Sequence, residues 1–71
     1  MAQNVTAPMV GKIVDIKVKV GDRVQEDDEV AVMEAMKMEN DLVSKFTGTV
    51  TKILVRKGSE VSTGDILLTI G

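Results

Sequence analysis

The 71-residue chain has no cysteine and no histidine. The first absence excludes disulfides and thiolate metal sites as supports for the fold. The second excludes Ser-His-Asp and Cys-His nucleophile systems and histidine-ligated zinc. Tryptophan and tyrosine are missing too, Phe46 is the single aromatic, arginine occurs only as Arg23 and Arg56, and the net charge is −2. A single-stranded nucleic-acid binder needs a basic groove with aromatic platforms, so nucleic acid is not expected as a partner. The uncharged apolar stretches are only a few residues long, too short for a membrane span or a signal-peptide core. No membrane insertion is expected, the polar start Met1-Ala2-Gln3-Asn4 does not read as a targeting signal, and the cytoplasm is the default compartment.

What is present points to one small folded domain over residues 1–71. The apolar fraction of 44% is too high for a disordered chain, and the charged fraction of 28% is that of an ordinary soluble protein. A chain this short buries a limited share of its surface. An autonomous enzyme is therefore not expected, nor any catalytic residue or metal site. A module that works with a larger machine fits better.

Valine and isoleucine together number 17, threonine adds six, and alanine only four. β-Branched residues favour strands, and no stretch keeps a helical period. Short strands with frequent turns read as an all-β sandwich or flattened barrel. Over residues 12–20, Val14, Ile16, Val18 and Val20 alternate with Asp15, Lys17 and Lys19. Gly21-Asp22 ends that strand. Residues 30–33 start a second, residues 52–56 repeat the alternation through Ile53 and Val55, and residues 65–70 form the last. The predicted core is Val14, Ile16, Val18, Val30, Val32, Ile53, Val55, Leu67 and Ile70.

The pattern recurs at a constant offset of 37 residues: Gly11 with Gly48, Ile16 with Ile53, Val18 with Val55, Gly21 with Gly58, Val24 with Val61, Asp28 with Asp65. Residues 1–34 make one half and 38–71 the other. Each half has too few strands to be stable alone, which predicts two four-stranded antiparallel sheets related by a pseudo-two-fold. Residues 35–37 lie outside the repeat, so the symmetry places Lys37 at a hairpin tip between the halves.

The run Glu34-Ala35-Met36-Lys37-Met38-Glu39 is unusual for a turn, where Gly, Asn or Asp are the common residues. Two methionines there suit a surface that adapts to a partner. These residues resemble the attachment motif of biotin carboxyl carrier domains, whose central lysine has methionine on both sides. Ala7-Pro8-Met9-Val10-Gly11 resembles the opening strand of such domains. Gly21-Asp22-Arg23-Val24 and Gly64-Asp65-Ile66-Leu67 resemble their two turn-and-strand signatures. The resemblance extends from about Val5 to Gly71. Residues 18–21 run straight through, without the protruding thumb of some bacterial acetyl-CoA carboxylase carriers, so the thumbless type is implied. Asp27 departs from the pattern by standing where many members, and Gly64 of this chain's second half, have glycine. Aspartate is among the less penalised residues if that turn needs a positive φ.

The resemblance implies biotin bound covalently to Lys37, with Glu34, Ala35, Met36 and Met38 as its immediate setting. It implies a carrier that shuttles carboxybiotin between a biotin carboxylase or decarboxylase site and a carboxyltransferase site. The parent would be an acyl-CoA or oxo-acid carboxylase, a decarboxylase or a transcarboxylase. Those subunits or domains are the expected partners, together with a biotin protein ligase. A lysine amine in water is almost wholly protonated at neutral pH, and no His or Cys stands nearby to activate it, so self-modification is not expected. Two alternatives come from relatives of the same fold: a lipoyl carrier of a 2-oxo acid dehydrogenase or glycine-cleavage complex, and an unmodified interaction module. The lipoyl lysine usually follows Asp and precedes Ala, unlike Lys37.

Two further features have bland readings beside sharper ones. Asp22, Glu26, Asp27, Asp28 and Glu29 form an acidic run that reads as solvated turns guarding a sheet edge, or as a docking face for a basic partner. Lys12, Lys17 and Lys19 read as an exposed strand face. The first strand follows Met1 almost at once and Gly71 directly follows the last, which is compatible with a domain excised from a longer chain.

Overall fold

The β-branched segments and the turn clusters between them fold into strands throughout. The computed structural model describes residues 2–71; Met1, read above as part of a polar start, lies outside the described residues. In chain order the strands are β1 Gln3–Thr6, β2 Gly11–Ile16, β3 Arg23–Val24, β4 Glu29–Ala35, β5 Met38–Val43, β6 Gly48–Ile53, β7 Glu60–Val61 and β8 Ile66–Ile70. Among the described residues no helix is long and apolar enough to cross a membrane.

Two four-stranded sheets result, ordered β1-β8-β6-β3 and β5-β4-β2-β7, with antiparallel pairing throughout. β2 and β6 begin at Gly11 and Gly48, and β3 and β7 end at Val24 and Val61, each pair 37 residues apart. Each sheet draws two strands from either side of residue 37. Neither half can complete a sheet alone, so the two halves fold as one unit around a shared core.

The repeat extends to hydrogen bonds. The N–H of Gln25 donates to the Asp28 carboxylate at 2.8 Å, and the N–H of Ser62 donates to the Asp65 carboxylate at 2.8 Å. The N–H of Lys19 donates to the Asp22 carboxylate at 2.9 Å; its counterpart, the N–H of Arg56, donates to the Ser59 hydroxyl at 3.0 Å. Asp22 and Asp28 of the acidic run thus close turns. Glu29 faces Lys17 at 3.9 Å, and Asp15 lies 3.6 Å from the same ammonium. These local partners favour the reading of that run as turn chemistry over a docking face. Asp27 has φ 74° and Gly64 has φ 89°, so the turn does need the left-handed region, and aspartate occupies it.

The predicted core is corrected in part. Val30, Val32, Leu67 and Ile70 are buried, but Val14 is only half-buried and outside the main cluster. Ile16, Val18, Ile53 and Val55 are partly buried at its margin. The centre is built from Ile13, Met33, Leu67, Leu68, Ile70, Val30 and Val50. The cause is a β-bulge. The register runs Ile13↔Met33 and then Asp15↔Val32, so Val14 is an extra residue. A bulge shifts the two-residue alternation by one, which puts Ile13 inward before it and Ile16 inward after it. A matching shift between Val50 and Lys52 makes Thr51 the extra residue, 37 positions on. β2 also stops at Ile16 rather than at residue 20, and Val20 is 61% exposed.

The β2–β3 and β6–β7 links, residues 17–22 and 54–59, are the same length. No insertion interrupts either one, as the thumbless pattern requires.

Candidate functional site

β4 is the most buried strand. Val30, Ala31, Val32, Met33 and Ala35 are all buried, and only the charged Glu29 and Glu34 are exposed. It pairs with β2 on one side and β5 on the other. Its last pairs with β5 are Glu34↔Glu39 and Ala35↔Met38. That register leaves a two-residue loop, Met36 and Lys37, at φ 54° and 63°. Two central residues at positive φ are the signature of a type I′ hairpin turn, whose twist matches the flanking strands. Asn-Gly is the favoured pair there. A residue with a Cβ costs roughly 1–2 kcal/mol in the left-handed region. The ladder beneath holds the turn in place: Met33 is fully enclosed and Ala35 is buried against the core side.

Gly11 lets β2 come close under this turn. A Cβ at that position would sit 2.5 Å from the Glu34 carbonyl oxygen and 2.8 Å from the Met33 Cε. Its hydrogen-only side chain therefore allows β2 to support the last turn-proximal pairs of β4.

Above this base two apolar side chains stand exposed among charged ones. Met36 is 89% exposed and Met38 66% exposed, and Lys37 is exposed between them. Both ion pairs found among the described residues belong to Lys17, and Lys37 takes part in neither. The one side-chain bond at the tip runs from the Asn40 amide to the Met38 carbonyl at 3.3 Å. Glu34 and Glu39 are cross-strand partners of like charge, an arrangement that does not stabilise a hairpin. Among the described residues no group of His, Cys, Asp or Glu could hold a metal ion.

Of the residues singled out in the sequence, Glu34, Met36, Lys37 and Met38 share the exposed tip, while Ala35 turns inward and anchors it. The structure adds Val10, which the sequence did not single out. It is 69% exposed and lines a shallow groove with Lys12, Glu34, Met36 and Glu60. An apolar residue directly before the close-packed Gly11 was the available signal.

An amine on a flexible stem, clear of ion pairs and raised on a rigid hairpin, suits covalent loading of a cofactor and its presentation to other active sites. Similarity to known proteins points the same way. The family model described as "Biotin-requiring enzyme" (biotin/lipoyl) matches residues 3–70. A biotin carboxyl carrier protein of Streptococcus mutans is 46% identical over 69 residues, which span 97% of this chain and 53% of that protein. This chain therefore covers about half the length of that relative. A biotin/lipoyl attachment protein of Bacillus subtilis is 38% identical over 64 residues, spanning 90% of this chain and 88% of that protein. The crystal structure of the Kluyveromyces lactis urea carboxylase matches all of this chain with 6% of its own, at a TM-score of 0.93 and 32% identity. On this evidence the chain belongs to the biotin-requiring enzyme family, among its biotin carboxyl carrier domains.

Proposed function

We propose that Lys37 is the residue that takes biotin, as an amide on its Nζ, and that residues 1–71 act as one non-catalytic carrier domain. In this reading residues 1–34 and 38–71 are the two halves and residues 35–37 the tip. The observation that carries it is the tip itself: an exposed lysine at the apex of a strained turn, between two exposed methionines that the chain's own fold leaves uncovered. Bound biotin supplies a ureido ring that accepts and gives up a carboxyl group. The chain does the rest. β4 and β5 fix the position of the arm, and the Lys37 stem lengthens its reach. Acylation removes the Lys37 charge and makes the net charge one unit more negative than −2.

Met36 and Met38 offer an apolar grip on either side of the amine, with Glu34 beside them and Ala35 holding the backbone. A biotin protein ligase is the partner proposed for loading, since the chain has no His or Cys to activate the amine. A biotin carboxylase or decarboxylase and a carboxyltransferase, as subunits or as domains of one chain, are the partners proposed for use. The acceptor would be an acyl-CoA or an oxo acid. A tethered arm raises the effective concentration at both sites without a tight protein contact. This reading keeps the cytoplasm as the default compartment. The lipoyl alternative is not favoured, because biotin-dependent proteins recur among the relatives and Lys37 has methionine on both sides.

The test is intact mass after incubation with a biotin protein ligase, biotin and ATP. One biotin on the wild type and none on Lys37→Arg is expected, because a guanidinium keeps the charge but does not take the acyl group. Biotin on the variant, or a wild type that stays unmodified, would contradict the assignment.

A further inference from the structure

The chain contains no Cys, Trp, Tyr or His. Methionine thioethers are therefore its readily oxidised side chains. The four methionines among the described residues fall into two classes. Met33 is fully buried in the core and Met9 is half-buried against it. Met36 and Met38 are 89% and 66% exposed and directly flank Lys37. Among the described residues the side chains most open to an oxidant are thus the two beside the attachment lysine, and no thiol in the chain competes for it.

We propose that Met36 and Met38 form a reversible oxidation site that governs loading of Lys37. This rests on the reading of Lys37 as the biotin attachment residue. The oxidant class is a peroxide. The thioether sulfur attacks one peroxide oxygen, the O–O bond breaks and an S–O bond forms. With hydrogen peroxide, the oxygen now on sulfur gives up its proton to the departing hydroxide, which leaves as water. The sulfur is oxidised by two electrons to the sulfoxide, and the peroxide is reduced. A dithiol-dependent methionine sulfoxide reductase reverses the change, releasing the oxygen as water while its thiols become a disulfide. The sulfoxide is polar and chiral where the thioether was apolar and flexible. The apolar grip on both sides of the amine is lost while the core is untouched.

The experiment titrates the protein with hydrogen peroxide and reads each methionine by peptide mass. The same samples are then biotinylated with a ligase, biotin and ATP, before and after treatment with both sulfoxide reductases. Expected are sulfoxides at Met36 and Met38 well before Met33, and biotin incorporation slowed about tenfold, as for loss of an apolar anchor at an interface. Reductase treatment should restore the rate, and the melting temperature should stay unchanged at this stage. Oxidation of Met33 as fast as Met36 would overturn the proposal. So would an oxidised tip that loads biotin at the original rate, or a rate that reductases do not restore. An unoxidised protein that takes no biotin would instead refute the Lys37 reading, and the proposal with it.

Discussion

Residues 25–28 and residues 35–38 both make a tight turn with left-handed residues that carry a Cβ, yet they handle the strain differently. In the first, Asp27 at φ 74° is surrounded by closing bonds. The Asp28 carboxylate accepts from Gln25 at 2.8 Å, and the Asp27 N–H donates to the Ser44 carbonyl at 2.7 Å. Ser44 is fully buried, and its hydroxyl donates to the Phe46 carbonyl at 2.6 Å and accepts the Phe46 N–H at 3.0 Å. That turn spends its polar groups on itself. In the second, Met36 and Lys37 sit at φ 54° and 63° with no side-chain bond to the loop backbone. Its shape is set from below, by the β4–β5 ladder and the buried Met33 and Ala35. The difference separates a turn whose side chains close it from one whose side chains the fold leaves exposed.

The largest effect on stability should come from the support below the tip. Met33→Ala should destabilise by about 2–5 kcal/mol through lost burial and a residual cavity, whereas Met36→Ala should stay within about 0.5 kcal/mol. Thermal unfolding followed by circular dichroism measures both, and equal losses would place Met36 in the core.

Relief of strain at the tip comes next. Replacing Met36 and Lys37 together by Asn and Gly supplies the favoured type I′ pair and should stabilise by about 1–2 kcal/mol. In a domain of this size that raises the melting temperature by roughly 4–8 °C per kcal/mol. The variant should at the same time lose biotin loading. A lower melting temperature would mean that the native tip residues contribute structural contacts.

Asp28→Ala removes a carboxylate that closes a turn and should cost about 1 kcal/mol. Asp65→Ala should cost a similar amount, because the two turns share one geometry. Denaturant midpoints compare them, and a large asymmetry would show that the two halves do not share the load. The smallest change should be Asp27→Gly. It relieves left-handed strain but adds entropy to the unfolded chain, leaving a net gain of about 0.5 kcal/mol or less.

Much of this molecule was legible from residue types. The lysine between two methionines marked the tip, and the 37-residue offset placed it between matching strands. Asp22 was readable as the end of a strand and Asp28 as part of a run of solvated turns, whereas Asp65 reads as the start of the last strand and instead closes the turn before it. What escaped was the phase of the alternation. Counting every second residue from Val14 led to the wrong inward face before the bulge and missed Ile13, the fully buried residue beside it. The exposed Val10 beside the tip was also missed, because its place before Gly11 becomes informative only once β2 is seen to pack closely beneath the turn.

Composition and order along the chain were enough to show that these residues supply no thiol or imidazole, to give the β-rich duplicated plan and to place the one lysine set between methionines. Those properties are local or periodic, and no contact is needed to read them. The tertiary structure decided which apolar residues face inward, how the halves interleave into two sheets, and that Met36 and Lys37 adopt the left-handed conformation. A bulge exists only relative to the strand beside it: Val14 is an extra residue because Ile13 and Asp15 pair with adjacent residues of β4. The tip holds its strained shape for the same reason, since the ladder that enforces it joins residues on both strands and rests on a core drawn from both halves.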